Sequence, residues 1–71
     1  MKNDTIMLNI SGGRRVFKSD YVRLKTKDLR EFGYASITEK EVEDQVDKLL
    51  NGSGGLTVIG LFCKDDIIIN D

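Results

Sequence analysis

The chain has 71 residues, of which 39% are hydrophobic and 32% are charged, and its formal net charge is −1. This balance is typical of a single globular domain and excludes a disordered segment, which would need fewer apolar residues or a larger net charge. One cysteine and no histidine exclude an internal disulfide and a structural zinc site, so we expect no cofactor and no metal. The composition therefore predicts a core that is held by packing alone.

Nothing in the sequence predicts contact with a membrane. No apolar signal region follows the first residues, and no apolar run approaches the roughly 20 residues that span a bilayer. A lone cysteine is typical of proteins in reducing compartments. We therefore expect a cytoplasmic protein with no membrane partner.

The first predicted elements are two strands joined by a tight turn. Apolar and more polar residues alternate over residues 5–10, which is the period of a half-buried strand. Gly12 and Gly13 then supply the positive φ angles that a two-residue hairpin turn requires. Such a turn would pair Leu8 with Phe17 and place both side chains on the apolar face.

The second predicted strand is interrupted near residues 19–20, because its apolar residues change parity there. A bulge or break at this point would return Val22 and Leu24 to the core. A short helical turn over residues 26–32 would follow and end at Gly33. These patterns predict an irregular strand and then a brief helical connection.

The main helix carries the clearest signals in the chain. Thr38 and Glu41 have the spacing of a capping box, and Asn51 with Gly52 supplies a stop. The stripe expected to face the core has i, i+4, i+7 and i+8 spacing and consists of Val42, Val46, Leu49 and Leu50. The sequence therefore predicts one amphipathic helix between these caps.

Two more strands are predicted after the main helix. Residues 56–63 are apolar on both faces, as in a central strand, and residues 67–69 would form a short last strand. The predicted order is β-β-(short helix)-α-β-β in one domain over residues 1–71. The predicted fold class is α+β, with a mostly antiparallel sheet of about four strands and the amphipathic helix on one face.

The residue inventory argues against catalysis. Histidine, the side chain that most often transfers protons near neutral pH, is absent. Cys63 lies among apolar residues and has no base in its sequence neighbourhood to activate it, so we expect an inert thiol. We therefore predict that the protein is not an enzyme.

The leading functional hypothesis is a small protein-binding accessory or regulatory domain, such as an inhibitor or modulator from a mobile element. Phe32 and Tyr34 would form a compact hot spot if their rings are exposed, or a seal on the core if they are buried. A row of like charges on the main helix would dock a basic partner groove or serve solubility alone, and it consists of Glu39, Glu43 and Asp47.

The last predicted strand offers another surface for a partner. An apolar strand at the end of a chain would lie at a sheet edge and invite pairing with another chain. Ile67 and Ile69 would then contact either a partner protein or a second copy in a homodimer.

The alternative hypothesis is a nucleic-acid-binding domain. Residues 1–35 carry a net charge of +4 and residues 36–71 carry −5, a split that either marks a charged partner or cancels when the halves fold together. Sheet-based readers of nucleic acid combine cations for phosphate with aromatic rings for base stacking. The candidate residues are Arg14, Arg15, Tyr21, Arg23 and Lys25. The last three of these would share one outward face of the strand.

Overall fold

A computed structural model describes residues 4–69 of the chain. Within these residues, a two-stranded antiparallel sheet precedes three helices, in the order β1 (Thr5–Leu8), β2 (Arg14–Phe17), α1 (Lys18–Phe32), α2 (Glu39–Asn51) and α3 (Val58–Asp66). The chain is α+β, but the prediction of a four-stranded sheet with one helix is wrong. None of the helices in this part of the chain is long and apolar enough to cross a bilayer.

The hairpin has a different register from the predicted one. Leu8 pairs with Arg14 and Thr5 pairs with Phe17, so residues 9–13 form the connection instead of a two-residue turn. The loop is longer because Ser11 and the two glycines after it all adopt positive φ angles. Phe17 therefore does not pair with the apolar strand residue predicted for it, and its side chain is 60% exposed.

The predicted second strand ends early, because α1 begins at Lys18. The change of parity that predicted a bulge is the start of a helical period, in which side chains three or four residues apart share a face. The side chains that α1 buries are Tyr21, Val22, Thr26 and Leu29. Leu24 lies off this face and is 63% exposed, so its predicted place in the core is wrong. Gly33 ends the helix, as its position predicts.

Helix α2 agrees with its sequence signals. The Thr38 hydroxyl accepts a hydrogen bond from the Glu41 N–H at 3.3 Å, and the Glu41 carboxylate accepts one from the Thr38 N–H at 3.4 Å. Gly52 adopts the left-handed conformation, with φ 65°, that stops the helix at its carboxyl end. The buried face carries Val42, Gln45, Val46 and Leu49, whereas Leu50 is exposed.

The predicted central strand over residues 56–63 is wrong, because most of this segment belongs to α3. The Thr57 hydroxyl caps the helix by accepting a hydrogen bond from the Ile59 N–H at 3.3 Å. Ile59 and Cys63 are buried one turn apart. Burial raises the pKa of the Cys63 thiol above its ordinary value, which favours the unreactive protonated form.

The predicted last strand is reduced to a single bridge. Ile67 pairs with Leu8 in an antiparallel bridge, and the Ile68 N–H donates to the Met7 carbonyl at 2.9 Å. Ile67 is buried in the core, whereas Ile69 is exposed. The segment therefore follows β1 for too short a distance to form a strand.

Asp66 joins three parts of the fold at the end of α3. Its carboxylate Oδ2 accepts a hydrogen bond from the Tyr21 hydroxyl at 2.8 Å and lies 2.7 Å from the Lys25 ammonium of α1. Its backbone carbonyl accepts a hydrogen bond from the Asn9 N–H in the hairpin loop at 2.7 Å. Burial raises the pKa of the Tyr21 hydroxyl, so this group remains a donor at all pH values near neutrality.

Replacing Asp66 by Ala should lower the free energy of unfolding by about 1–3 kcal/mol, because the buried Tyr21 hydroxyl loses its carboxylate acceptor. Asp65→Ala is the matched control, since it removes the same charge from an exposed position one residue earlier. We expect it to change stability by less than about 0.5 kcal/mol. Urea unfolding measures both values, and equal values for the two variants would contradict the role assigned to Asp66.

Gly60 allows α3 to approach α2 closely. A Cβ atom at this position would collide with the Gln45 side chain and lie 2.8 Å from Leu56 Cδ2. The Gln45 side chain cannot easily yield, because it is buried and its Oε1 accepts a hydrogen bond from the Thr57 N–H at 2.9 Å.

Gly60→Ala should therefore destabilise the protein by about 1–3 kcal/mol through overpacking. This is the opposite of the usual effect, because alanine in a helix is ordinarily more stable than glycine by roughly 0.5–1 kcal/mol. Lys64→Ala, at an exposed position of the same helix, serves as the control in the same thermal and urea unfolding series. Stabilisation by Gly60→Ala would show that α2 and α3 can move apart without a loss of stability.

Candidate protein-binding surface

Three aromatic rings meet where the end of α1 approaches α3, and we call Phe32, Tyr34 and Phe62 the aromatic patch. The Phe32 and Tyr34 rings stack with centroids 6.2 Å apart. Phe62 meets them edge-on, at 5.7 Å from Phe32 and 6.1 Å from Tyr34. These separations lie in the favourable range for aromatic pairs. Phe32 contacts both other rings but is 72% exposed, so much of its surface remains open to solvent.

The end of α1 places two of these rings side by side. The Tyr34 N–H donates to the Leu29 carbonyl at 2.9 Å, and the Gly33 N–H donates to the Arg30 carbonyl at 3.3 Å. This pair of bonds is the Schellman motif, in which a glycine with positive φ reverses the chain after a helix. This reversal brings the ring of Phe32, the last helical residue, into contact with the ring of Tyr34, which lies just beyond it.

The exposed face of α3 extends the aromatic patch. Val58 and Leu61 are 51% and 52% exposed, and Phe62 follows on the same side of the helix. Tyr34 and Val58 also line one shallow pocket of about 320 Å³. Residues 58–63 of α3 are apolar on the buried and exposed sides alike, whereas Lys64 and Asp65 are exposed and charged. The outer face of the first part of α3 therefore lacks the polar character of a solvent-facing helix.

A charged network supports the aromatic patch from one side. The Lys25 ammonium lies 6.0 Å from the centroid of the Phe62 ring, within the range of a cation–π contact. The same ammonium is paired with Asp66, as described above. Lys25 therefore holds α3 against α1 next to the rings.

The predicted acidic row lies elsewhere. Glu43 and Asp47 of α2 face the beginning of α1, where the Lys18 ammonium lies 2.8 Å from Asp47 Oδ1 and 3.7 Å from Glu43 Oε2. The hydrogen bond that Lys18 donates to the Asp47 carboxylate raises the pKa of Lys18. Glu39 is exposed one turn earlier. The structure thus separates this row from the rings at the far end of α1, and it gives part of the row an internal partner.

The last-strand residues do not form the predicted edge. Ile67 is buried against β1 and is not accessible to a partner, whereas Ile69 is exposed. Pairing between copies through this segment, and a homodimer formed in that way, remain untested predictions.

The five candidate nucleic-acid contacts do not form one surface. Tyr21 is buried, and the predicted strand face with Arg23 and Lys25 is wrong because all three residues lie on α1. Arg23 lies 3.4 Å from the Asp20 carboxylate, and Lys25 is engaged with Asp66 as described above. The arginines of β2, Arg14 and Arg15, are both exposed.

Sequence reasoning found two of the three rings and missed the third. Phe62, Val58 and Leu61 all lie in the segment that the sequence predicts as a central strand, and this prediction hides the part of Phe62 in an exposed surface. One signal was available: Thr57, directly before an apolar run, is a typical residue for the cap of a helix.

Comparisons with protein families, with curated proteins and with solved structures yield no match for this chain, so a function has to be argued from its own geometry.

Proposed function

We propose that this chain is a small non-enzymatic protein-binding domain, with an accessory or regulatory role, and that it binds its partner through the aromatic patch and the outer face of α3. The observation that carries the proposal is the 72% exposure of Phe32 within a cluster of three rings. Aromatic side chains dominate the energetics of protein interfaces, and their contribution is largest when a partner excludes water from them.

The ring contacts within the aromatic patch favour this use. Phe32 is held by ring contacts on two sides, so a partner would have to immobilise little of it on binding. Side-chain ordering ordinarily costs about 0.5–1.5 kcal/mol per immobilised side chain at an interface. The exposed apolar surface of the patch is thus available at a low entropic cost.

The shape of the surface also favours a protein partner over a small molecule. Pockets that bind small molecules enclose most of the ligand surface, whereas the pocket beside Tyr34 and Val58 is shallow. The rings and the two exposed α3 residues instead form an exposed apolar area, as in the central part of a protein interface.

Phe32→Ala should weaken binding of the partner at least about tenfold, because truncating a central aromatic residue typically costs more than about 1–2 kcal/mol. The fold should persist, since this side chain is mostly exposed. Affinity capture with the wild-type chain would supply the partner, and calorimetry with the purified partner would measure the dissociation constant. Tyr34→Ala should act in the same direction.

The matched control is Leu50→Ala, which removes an exposed apolar side chain from α2. Its dissociation constant should equal that of the wild type, and thermal unfolding should show that both variants are folded. Equal binding by the wild type and a folded Phe32→Ala variant would remove the aromatic patch from the interface.

Fluorescence anisotropy with labelled single- and double-stranded DNA and RNA separates this proposal from the nucleic-acid hypothesis. We expect no binding at near-physiological salt, because two of the predicted cations are engaged by carboxylates and the predicted stacking ring is buried. Phosphate contacts would appear as binding that weakens steeply with salt. Binding that persists at physiological salt and falls when Arg23 and Lys25 are changed to Ala would favour the nucleic-acid hypothesis instead.

A further inference from the structure

Within residues 4–69, the outer edge of β2 carries backbone N–H groups that bond to no other backbone group. The Lys18 N–H donates to the Asp4 carbonyl at 2.7 Å, which marks this pair as a hydrogen-bonded pair of the antiparallel ladder. Hydrogen-bonded and non-hydrogen-bonded pairs alternate along an antiparallel ladder. The backbone N–H of Val16 therefore also points toward β1, whereas the N–H groups of Arg15 and Phe17 point away from it. Among residues 4–69, no backbone group bonds to this outer side of β2.

The opposite side of the hairpin is closed. The Met7 carbonyl accepts from the Ile68 N–H, and the Asn9 N–H donates to the Asp66 carbonyl at 2.7 Å. The strand β1 therefore has neighbours on both sides, and β2 provides the open edge of the hairpin.

The charges on this edge select the kind of strand that it can accept. Arg14 pairs with Leu8 and Arg15 with Met7, so the two guanidinium groups lie on opposite faces of β2. Both are exposed, and within the described residues neither forms an ion pair. The Arg15 guanidinium does donate to the Thr5 hydroxyl at 3.0 Å. Like charges directly opposite each other are unfavourable across strands, which disfavours a second copy of β2 and favours an acidic strand.

Apolar contacts are available on both faces of the same edge. Phe17 is largely exposed on the outer face. On the inner face, Arg14 and Val16 line a groove of about 360 Å³ whose other walls include Ile10 and Leu24. An added strand would thus find an apolar contact as well as a cation on each face.

We propose that the outer edge of β2 binds an extended, acidic segment of a partner protein by strand addition. Backbone bonds to Arg15 and Phe17 would hold the segment, and carboxylates of the segment would pair with Arg14 and Arg15. This site lies at the beginning of α1, whereas the aromatic patch lies at its end, so the inference goes beyond the function proposed above and can fail without it.

The first test uses a short synthetic peptide that alternates glutamate and valine, titrated into the isotope-labelled chain and followed by NMR. The amides of Arg15 and Phe17 should become protected from hydrogen exchange on binding, because they then donate to the peptide backbone. The amide of Val16 should be protected already, since it faces β1. A peptide with lysine in place of glutamate is the matched control and should not bind.

Arg15→Pro isolates the backbone contribution. Proline removes an N–H that points outward and leaves the ladder bonds to β1 in place, which edge strands tolerate. Arg15→Gln removes only the charge. We expect the proline variant to bind the glutamate peptide about fivefold more weakly than the glutamine variant does, because it lacks one backbone hydrogen bond to the peptide. Arg23→Gln, a charge change on α1, should bind like the wild type.

A second measurement keeps the test decisive if Arg15→Pro does not fold. A glutamate peptide with N-methylated backbone amides cannot pair as a strand and should lose binding to the wild-type chain. The proposal is overturned if the glutamate peptide does not bind, if the lysine peptide binds equally well, or if N-methylation has no effect. Chemical-shift changes that are confined to Phe32 and its neighbours during the titration would overturn the proposal as well.

Discussion

The hydrogen bonds and the ion pair of Asp66 fix the relative positions of the hairpin, α1 and α3. Its carboxylate engages Tyr21 and Lys25 on α1, and its carbonyl engages Asn9 of the hairpin loop. A chain with one cysteine has no internal disulfide to perform this task. Because α3 is anchored at its end, one of its faces is committed to α2, and Phe62 is held beside the end of α1. The aromatic patch follows from that orientation.

How well an element could be predicted depended on whether its signals were local. Helix α2 was predictable because Thr38 and Glu41 cap it and its buried side chains repeat with a helical period. Helix α3 gave no such period, since the side chains of residues 58–63 are apolar on both faces, and a short apolar run does not distinguish a strand from a helix. The start of α1 was missed for a related reason: apolar residues that change parity fit a bulged strand as well as a helix.

The same distinction explains what was found of the candidate surface. Phe32 and Tyr34 could be named because they flank Gly33, a predicted helix stop, but the sequence did not decide whether their rings are exposed or buried. The third ring of the aromatic patch depends on how α3 lies against α1. That arrangement depends on contacts between residues far apart in sequence, such as Tyr21 with Asp66, which are 45 positions apart, and local patterns carry no information about such contacts.

The opposite charges of the two halves of the chain are partly neutralised by folding. Lys18 pairs with Glu43 and Asp47, and Lys25 pairs with Asp66, so cations of the basic half are matched by carboxylates of the acidic half. Within the described residues, Arg14 and Arg15 form no ion pair, and neither do Lys27 and Arg30 of α1. Two adjacent cations of the first half thus lie at the open edge of β2, where no backbone group of residues 4–69 bonds to the outer side of the strand. Cations and unpaired backbone groups therefore coincide at one edge. This coincidence distinguishes a site that accepts a strand from a generally basic surface. On a generally basic surface, the cations would need no particular position relative to the hydrogen-bonding groups of the main chain.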